Sequence, residues 1–400
     1  MKQYDVMIIG GGAAGLAAAL SASEQKKDIL VLESAPRVGR KLLATGNGRC
    51  NLINMLDAPY YGDAGFAKQV LDACNRADVL AFFHGLGLVT REEGGGRVYP
   101  GSGQAASVLD VMRKALDRRG VAILCDGKVQ RITRQKNGFR VTAGENSYDG
   151  KKVIVACGGM AGGKLGHDGS AYALLTAFGH TLKQPLPALT PLLAEKKVIK
   201  GLSGLRLPAV LTLCDGEKPV SRAAGEVLFT DYGVSGICAM QLSADVHRAK
   251  KPVLYADFSP MMGLVPCLYE RLPVGDVYEN LDKVQRLLKD RSSLLPREEV
   301  LCGLLPRLLS EKMQGLTGLQ LAKMLCAFAI PITGLRGFEY AQVTRGGVNT
   351  RDFDAHTMES ALQKGLYAAG EILNVDGDCG GYNLLFAFAS GILAGKAAAQ

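Results

Sequence analysis

The sequence predicts an α/β fold in which one domain is split by an insertion. Three observations support this prediction. Residues 4–33 have the pattern of a strand, a glycine turn, a helix and a second strand, and residues 365–399 repeat the strand, glycine turn and helix. Between them, residues 190–332 change to short strands of an antiparallel type followed by leucine-rich helices. The chain is therefore expected to leave its first domain and to return to it.

The first glycine turn has the spacing of a dinucleotide-binding unit. Gly10 is predicted to make the tight turn, Gly12 to let a pyrophosphate approach the backbone, and Gly15 to let helix and strand pack closely. Glu33 ends the second strand, where its carboxylate can accept hydrogen bonds from an adenosine ribose. A strand, a helix and an acid surround these glycines, so dinucleotide binding is the favoured interpretation.

Residues 6–22 are mostly apolar, and a membrane span or a signal peptide is the alternative interpretation. The glycines in the middle would weaken such a helix, the segment is slightly short, and only Lys2 supplies positive charge. No later segment is long and uncharged enough to cross a bilayer. We therefore predict a cytoplasmic, bacterial-type enzyme with no membrane partner.

The composition limits the classes of protein to which the chain can belong. The chain has 400 residues, of which 48% are hydrophobic, so two or three packed units are expected. Its ten cysteines are scattered without a CxxC pair or metal-ligand spacing, so neither disulfides nor a metal site is predicted. The net charge of +9 leaves two interpretations open: lysines that keep the protein soluble, or a surface for an acidic or nucleic-acid partner.

Residues 34–54 form a polar, glycine-rich loop that is too long for an ordinary connection. Arg37, Arg40 and Lys41 can neutralise a pyrophosphate, and residues 45–51 offer backbone donors and small side chains beside which a flat ring system could lie. A long solvated loop is the alternative.

Periodicity and turn residues predict the elements that follow. Residues 66–85 and 104–119 have helical spacing. Further strands and turns are predicted at 89–100, 121–124, 129–133 and 139–142, and a helix at 169–178. The strand at 152–156 runs into glycines, so Ala156 and Gly158 can bring their backbone against a cofactor.

Prolines at 184–191 mark a boundary. We predict a first domain at 1–189 and 333–400, an inserted antiparallel β unit at 190–262 and an inserted helical unit at 263–332. Seven cationic residues of the insertion are candidates for a phosphate-contacting surface: Lys196, Lys197, Lys200, Arg206, Arg248, Lys250 and Lys251.

Four segments together carry a family resemblance: IIGGGAAGLAAA, KLLATGNGRCN, VTRGGVNT and LYAAGEILNVDGDCGGYNLLFAFASG. They resemble the aminoacetone oxidase family of flavoproteins, also described as YhiN/BaiN-like. The resemblance covers essentially the whole chain. It implies FAD as cofactor, bound by a glutathione-reductase-like Rossmann domain with a three-layer ββα architecture. An inserted β-barrel-like unit and a helical unit would interrupt this domain.

The resemblance also implies site residues. Gly10, Gly12, Ala14 and Gly15 would bind the pyrophosphate, Glu33 the ribose, and the backbone near Val129 the adenine. The flavin would be lined by Arg40, Lys41, Thr45, Gly46, Asn47, Gly48, Arg49, Cys50 and Asn51, the ribityl region by Gly370 and Glu371, and the pyrimidine edge by Gly380, Gly381, Tyr382 and Asn383. The positive end of the last helix would then face the N1/O2 edge of the ring.

The expected function is that of an FAD-dependent oxidoreductase. It would take a hydride from NAD(P)H and reduce an activated C=C bond of a small molecule. The alternatives are reduction of a uridine in ribosomal RNA, amine oxidation, and redox sensing without turnover. Tyr382, Arg345 and Cys50 are the candidate catalytic residues.

Overall fold

The structure is a computed structural model that describes residues 3–268 and 270–400. It divides into two compact units: a split unit, Met1–Leu186 with Val343–Gln400, and an inserted unit, Pro187–Gln342. The return to the split unit comes later than the predicted residue 333, because the strand Phe328–Leu335 pairs within the inserted unit.

The elements of the chain up to the insertion are given first. The strands are β1 (Gln3–Ile9), β2 (Ile29–Leu32), β3 (Ile53–Asn54), β4 (Tyr60–Gly62), β5 (Thr90–Glu93), β6 (Arg97–Pro100), β7 (Ala122–Leu124), β8 (Val129–Gln135), β9 (Gly138–Ala143), β10 (Asn146–Val155) and β11 (Leu182–Ala188). The helices are α1 (Ala13–Ser23), α2 (Arg40–Ala44), α3 (Ala64–Ala73), α4 (Arg76–Gly85), α5 (Ala105–Arg118) and α6 (Ala173–Thr176).

The later elements belong to the inserted unit and then to the returning chain. The inserted unit contains β12 (Leu192–Ala194), α7 (Lys196–Ile199), β13 (Arg206–Asp215), β14 (Lys218–Phe229), β15 (Gly233–Ser235), α8 (Ile237–Ser243), β16 (Pro252–Asp257), β17 (Arg271–Leu272), α9 (Leu281–Leu294), α10 (Arg307–Lys312), α11 (Gly318–Cys326) and β18 (Phe328–Leu335). The returning chain contains β19 (Val343–Val348), β20 (Leu366–Ala368), β21 (Val375–Gly377) and α12 (Tyr382–Ala399).

The split unit is built on a parallel sheet with the strand order β7, β2, β1, β10 and β20. The strand β10 also pairs antiparallel with β9, and β9 with β8. The carboxyl ends are in register: Ile9 lies beside Leu32 and Val155, and Val155 beside Ala368. Because parallel strands end at the same edge, the residues after these four strands meet there. This arrangement confirms the predicted α/β fold class.

The helices α1 and α12 pack closely within the split unit. A side chain at Gly391 would overlap the carbonyl oxygen of Ala14, and one at Gly395 would overlap that of Ala18. Every residue of α1 after its first is buried. The apolar stretch that resembled a membrane span is therefore a core strand and a core helix.

Of the helices in the described residues, α12 has the length and the apolar composition that a bilayer span requires, but 72% of it is buried inside the protein. Buried helices of soluble proteins meet the same criteria, so this observation is weak evidence for a span.

The inserted unit is a closed antiparallel barrel with helices. Its strands follow the order β13, β16, β18, β12, β15 and β14, and β14 closes the ring by pairing with β13. One hydrophobic core joins barrel residues such as Phe229 and Phe328 to helix residues such as Leu288 and Leu325. The barrel and the helices thus share one core, and their division into units at 190–262 and 263–332 stays a proposal.

The prediction of a single helix at 66–85 is wrong. The helix α3 ends at Ala73, and Asn75 caps α4. The Asn75 side chain accepts hydrogen bonds from the N–H groups of Ala77 (2.8 Å) and Asp78 (3.2 Å), while the Asp78 carboxylate accepts one from the Asn75 N–H (2.8 Å). This reciprocal cap starts a new helix, which the apolar spacing did not reveal.

Candidate functional site

The carboxyl edge of the parallel sheet collects the predicted cofactor residues of the split unit. Gly10 directly follows β1, Glu33 follows β2, and Ala156 follows β10. Gly370 lies two residues after β20, beside Ala14 at the start of α1. Four strands that are distant in sequence thus deliver these residues to one edge, where ligands of open α/β sheets bind.

The glycine turn has the packing that its spacing predicted. Gly10 has a φ of +106°, and a side chain there would overlap the carbonyl oxygen of Ala156. A side chain at Gly15 would overlap the carbonyl oxygen of Gly10. Gly12 differs, because no atom lies within 4 Å of the position that its Cβ would occupy. The backbone at Gly12 therefore borders open space.

The N–H groups in the first turn of α1 are free to donate into the open space beside Gly12. Its N-cap, Gly12, supplies no side-chain hydrogen bond, and the first turn contains no acidic residue. The first N–H groups of a helix have no intrahelical partner and carry partial positive charge. A pyrophosphate suits this position.

Glu33 is held beside the turn by backbone donors. Its Oε2 accepts a hydrogen bond from the Gly11 N–H (2.8 Å), and its Oε1 accepts one from the Ala35 N–H (2.7 Å). The Gly127 N–H donates to the Glu33 carbonyl oxygen (2.9 Å), which brings the segment leading to Val129 alongside. These contacts place the proposed ribose and adenine residues next to each other.

An ion pair links α2 to the turn after β20. Lys41 Nζ lies 2.7 Å from Glu371 Oε2, and the Thr344 N–H donates to Glu371 Oε1 (2.8 Å). The Gly370 N–H donates to the Ser390 hydroxyl of α12 (3.0 Å). Lys41, Gly370 and Glu371 thus lie close together, and their contacts with a cofactor stay predictions.

The helix α12 begins without a side-chain cap. Its N-cap, Gly381, has a φ of +105°, and neither a capping side chain nor an acidic residue occupies the first turn. The Asn383 amide is engaged within the loop, because it is bonded to the Gly377 N–H and carbonyl oxygen (2.8 Å each). The Asn383 amide therefore holds the loop, and the contacts of Gly380, Gly381, Tyr382 and Asn383 with a ring stay predictions.

Two residues that sequence reasoning missed also hold this loop. Asn54 Nδ2 donates to the Gly380 carbonyl oxygen (3.0 Å), and the Tyr60 hydroxyl donates to the Tyr382 carbonyl oxygen (2.9 Å). Both residues lie more than 300 positions from their partners. The GRCNLIN motif was the available signal for Asn54, but its partner was not visible in the sequence.

The predicted flavin loop has an unusual backbone. The left-handed region contains Gly46, Gly48 and also two residues with side chains, Asn47 (φ 55°) and Cys50 (φ 57°). Left-handed conformations cost roughly 1–2 kcal/mol for residues with a Cβ. Such strain collects at ligand sites. Thr45 stabilises the turn, since its hydroxyl donates to the Leu42 carbonyl oxygen (2.6 Å).

Asn51 supplies an acceptor without a partner in the described residues. Its side chain is 8% exposed, and its Oδ1 is buried without a hydrogen bond. A side chain on Gly381 would lie 3.0 Å from this oxygen, so the acceptor borders the start of α12. A buried acceptor of this kind costs free energy unless a ligand or water donates to it.

Other predicted lining residues have different surroundings. Arg49 forms an ion pair with Glu93 (2.6 Å) and lies over the Tyr99 ring (4.2 Å). Gly158 has a φ of +75°, and its carbonyl oxygen bonds His167 Nε2 (2.9 Å). Because His167 Nδ1 accepts from the Gly169 N–H, Nε2 carries the proton. Arg40 stands first in α2, directly before Lys41.

The structure shows the surroundings of the three catalytic candidates. Arg345 pairs with Asp376 (2.9 Å), and its guanidinium lies over the Tyr61 ring (4.4 Å). Tyr382 is 6% exposed, and burial raises the pKa of its hydroxyl. Cys50 is completely buried, and burial raises the pKa of its thiol to about 12, which argues against it as a proton donor. The catalytic roles of all three stay predictions.

Cysteine labelling checks the burial of this loop. In the native protein at pH 8, iodoacetamide is expected to alkylate the exposed Cys267 and Cys302 but to leave Cys50 and Cys157 unmodified. Burial raises the pKa of the Cys50 thiol and of the thiol of the partly buried Cys157 to about 12, which leaves almost no thiolate to react. Mass spectrometry of the peptides measures this. Modification of Cys50 as fast as Cys267 would show that the loop opens.

The residues fit FAD. Open space adjoins Gly12 and the free donors of α1, Glu33 lies beside this space, and a second uncapped helix begins at Gly381 near the unpartnered Asn51 oxygen. A dinucleotide with an anionic centre and a ring edge that accepts and donates hydrogen bonds matches this donor set. No group of three or more metal-ligating side chains occurs in residues 3–268 and 270–400.

This fold and site define the class of an FAD-dependent oxidoreductase. Residues 4–397 match the family model described as HI0933-like protein Rossmann domain, and the chain belongs to that family.

Its similarity to individual relatives extends over nearly the full chain. It is 36% identical over 417 residues to a 3-dehydro-bile acid delta(4,6)-reductase of Clostridium scindens, covering 98% of each chain. It is 28% identical over 414 residues to a ribosomal RNA dihydrouridine synthase of Haemophilus influenzae, covering 98% of this chain and 97% of that one.

A solved structure has the same fold. It is a 3-ketosteroid-delta4-(5alpha)-dehydrogenase from Rhodococcus jostii RHA1, with a TM-score of 0.52 and 16% identity, covering 100% of this chain and 97% of that one.

Proposed function

We propose that this protein reduces an activated C=C bond, one conjugated to a ketone, in a small organic substrate. The observation that supports this most is the 36% identity over 98% of both chains with a reductase of this bond type. The residues of the split unit around Gly12, Glu33 and Gly381 would hold FAD, whose hydride chemistry suits this reduction. We further propose NADH or NADPH as the electron donor, and a steroid-like enone as the first substrate class to test.

The chain's own residues bind and orient the cofactor. FAD, when bound, supplies hydride chemistry. The donors at the start of α1 would hold the pyrophosphate, and Glu33 would accept hydrogen bonds from the ribose. The start of α12 would direct partial positive charge at the pyrimidine edge of the ring. Asn54 and Asn383 fix the loop that carries Gly380 and Gly381, so these donors stay in position.

Residue roles in catalysis are part of the proposal. Tyr382 remains the first candidate for a proton donor, since it begins α12 beside Gly381. Arg345 is better supported as a positioning residue, because its guanidinium is engaged by Asp376 and Tyr61. Cys50 is retained only as a lining residue of the flavin loop.

Anaerobic reoxidation tests the function. Purified holoprotein is reduced with NADPH or NADH, and a steroid enone or ribosomal RNA is then added separately. Aminoacetone and a primary amine are added instead to the oxidised holoprotein, because amine oxidation would reduce the flavin. We expect the enone to restore the oxidised flavin absorbance and to yield the saturated ketone by mass spectrometry. Reoxidation by ribosomal RNA with formation of dihydrouridine, and none by enones, would refute the proposal.

The ribosomal RNA alternative depends on the cationic residues of the insertion, which the structure separates. Lys250 and Lys251 lie at the Asp215 end of β13, since the Lys251 N–H donates to Asp215 (2.8 Å). Arg206 begins the same ten-residue strand, roughly 30 Å away at the usual rise per residue, and pairs with Glu226. Arg248 pairs with Asp245. These observations favour the small-molecule substrate.

A further inference from the structure

One arginine of the inserted unit is enclosed by two tyrosine rings. The guanidinium carbon of Arg336 lies 4.3 Å from the centre of the Tyr232 ring and 3.1 Å from the centre of the Tyr340 ring. Stacking of this kind occupies the flat faces of a guanidinium and leaves its N–H edge available. The two ring contacts therefore restrain the guanidinium group and leave its N–H groups able to bind a partner.

The backbone around this arginine is firmly held. Arg336 directly follows β18, its N–H donates to the Pro191 carbonyl oxygen (3.0 Å), and its own carbonyl oxygen accepts from the Thr190 hydroxyl (2.8 Å). Tyr232 lies in the turn between β14 and β15, where its carbonyl oxygen accepts from the Ala194 N–H (3.1 Å). The barrel therefore positions both the arginine and one of the two rings.

The N–H edge has no acceptor within the described part of the chain. No hydrogen bond or ion pair joins the Arg336 side chain to residues 3–268 or 270–400, and none of its nitrogens is buried without a partner. Its donors thus face solvent. The other arginines of the barrel differ: Arg206, Arg222 and Arg271 each pair with a carboxylate.

We propose that Arg336 binds the anionic group of a ligand of this enzyme, a carboxylate or a phosphate, through its N–H edge. The planar fork matches two oxygens of either group, and such charged pairs are stronger than neutral hydrogen bonds. Tyr232 and Tyr340 lower the entropy cost by holding the plane before the ligand arrives. The inference goes beyond the proposed function and does not depend on it.

Binding to the resting holoprotein tests this without turnover. Succinate serves as the carboxylate probe and inorganic pyrophosphate as the phosphate probe, each titrated calorimetrically at low ionic strength, where screening is weak. We expect at least one probe to bind, and Arg336→Gln to raise its dissociation constant roughly 10-fold to 100-fold. The probe that responds shows whether this site takes a carboxylate or a phosphate.

Matched variants separate binding from a structural role. Arg336→Lys keeps the charge but loses the fork, and Tyr340→Leu keeps the arginine but loses one ring, so both should weaken binding less than Arg336→Gln. Arg286→Gln removes an exposed arginine of α9 in the same unit and should leave the dissociation constant unchanged.

Two results would overturn the proposal: neither probe binding the wild-type protein, or equal binding by the wild type and Arg336→Gln. A lower melting temperature in Arg336→Gln with unchanged binding would assign the arginine to structure alone. The titrations measure binding and involve no reduction. Failure of the enone reaction would contradict the proposed function but would not change the binding results.

Discussion

Gly12→Leu is expected to yield a folded protein that no longer retains FAD. The Gly12 backbone has a φ of −86°, which residues with side chains adopt freely, and no atom lies within 4 Å of its Cβ position. The leucine would fill the space where α1 presents its free donors. We expect at least a 100-fold rise in the FAD dissociation constant, about 2.7 kcal/mol or more. Flavin fluorescence on titration of apoprotein measures it.

The control for this prediction is Gly65→Leu in α3, where a glycine also has no neighbour within 4 Å of its Cβ position. It should bind FAD as the wild type does. Both apoproteins should melt at nearly the wild-type temperature. A yellow, fully loaded Gly12→Leu protein would show that the pyrophosphate does not lie at this turn.

Asp376→Ala should destabilise the split unit by roughly 3–5 kcal/mol, because it removes the buried carboxylate that pairs with Arg345. Side-chain exposure is only 14% for Arg345 and 2% for Asp376. Burial even raises the pKa of the Asp376 carboxyl, against the lowering effect of the arginine, so desolvation is the larger influence. Denaturant unfolding of the apoprotein, followed by circular dichroism, measures the change in the free energy of unfolding.

A double variant and a surface control show whether the loss of stability comes from the buried ion pair. Arg345→Met combined with Asp376→Leu removes both charges and should recover much of the lost stability, since apolar replacement of a buried pair is often neutral. Asp72→Ala breaks the exposed Lys68–Asp72 pair of α3 and should have little effect. If Asp376→Ala is as stable as the wild type, the ion pair does not hold β19 to β21. If the double variant folds and binds FAD but reduces no substrate, Arg345 regains its place as a catalytic candidate.

Sequence reasoning predicted the local parts of this protein well. The strand, turn and helix around Gly10 and Gly15 depend on residues close together in the chain, and so does the start of α12 at Gly381. It was wrong on residues 66–85, where the Asn75 cap overrides a continuous apolar spacing. It did not foresee that the Asn383 amide holds the Gly377 backbone.

The sequence by itself determined the fold class, the glycine turn and the family resemblance, because each depends on short segments and their order. Only the tertiary structure decided which charges and amides meet: Lys41 with Glu371, Asn54 with Gly380, and Arg345 with Asp376. The partners in the first two pairs lie more than 300 residues apart, so no local pattern encodes them. The parallel sheet brings Lys41 and Glu371 together, since they follow β2 and β20, which end at one edge. Asn54, Arg345 and Asp376 lie in β3, β19 and β21, which belong to smaller separate sheets.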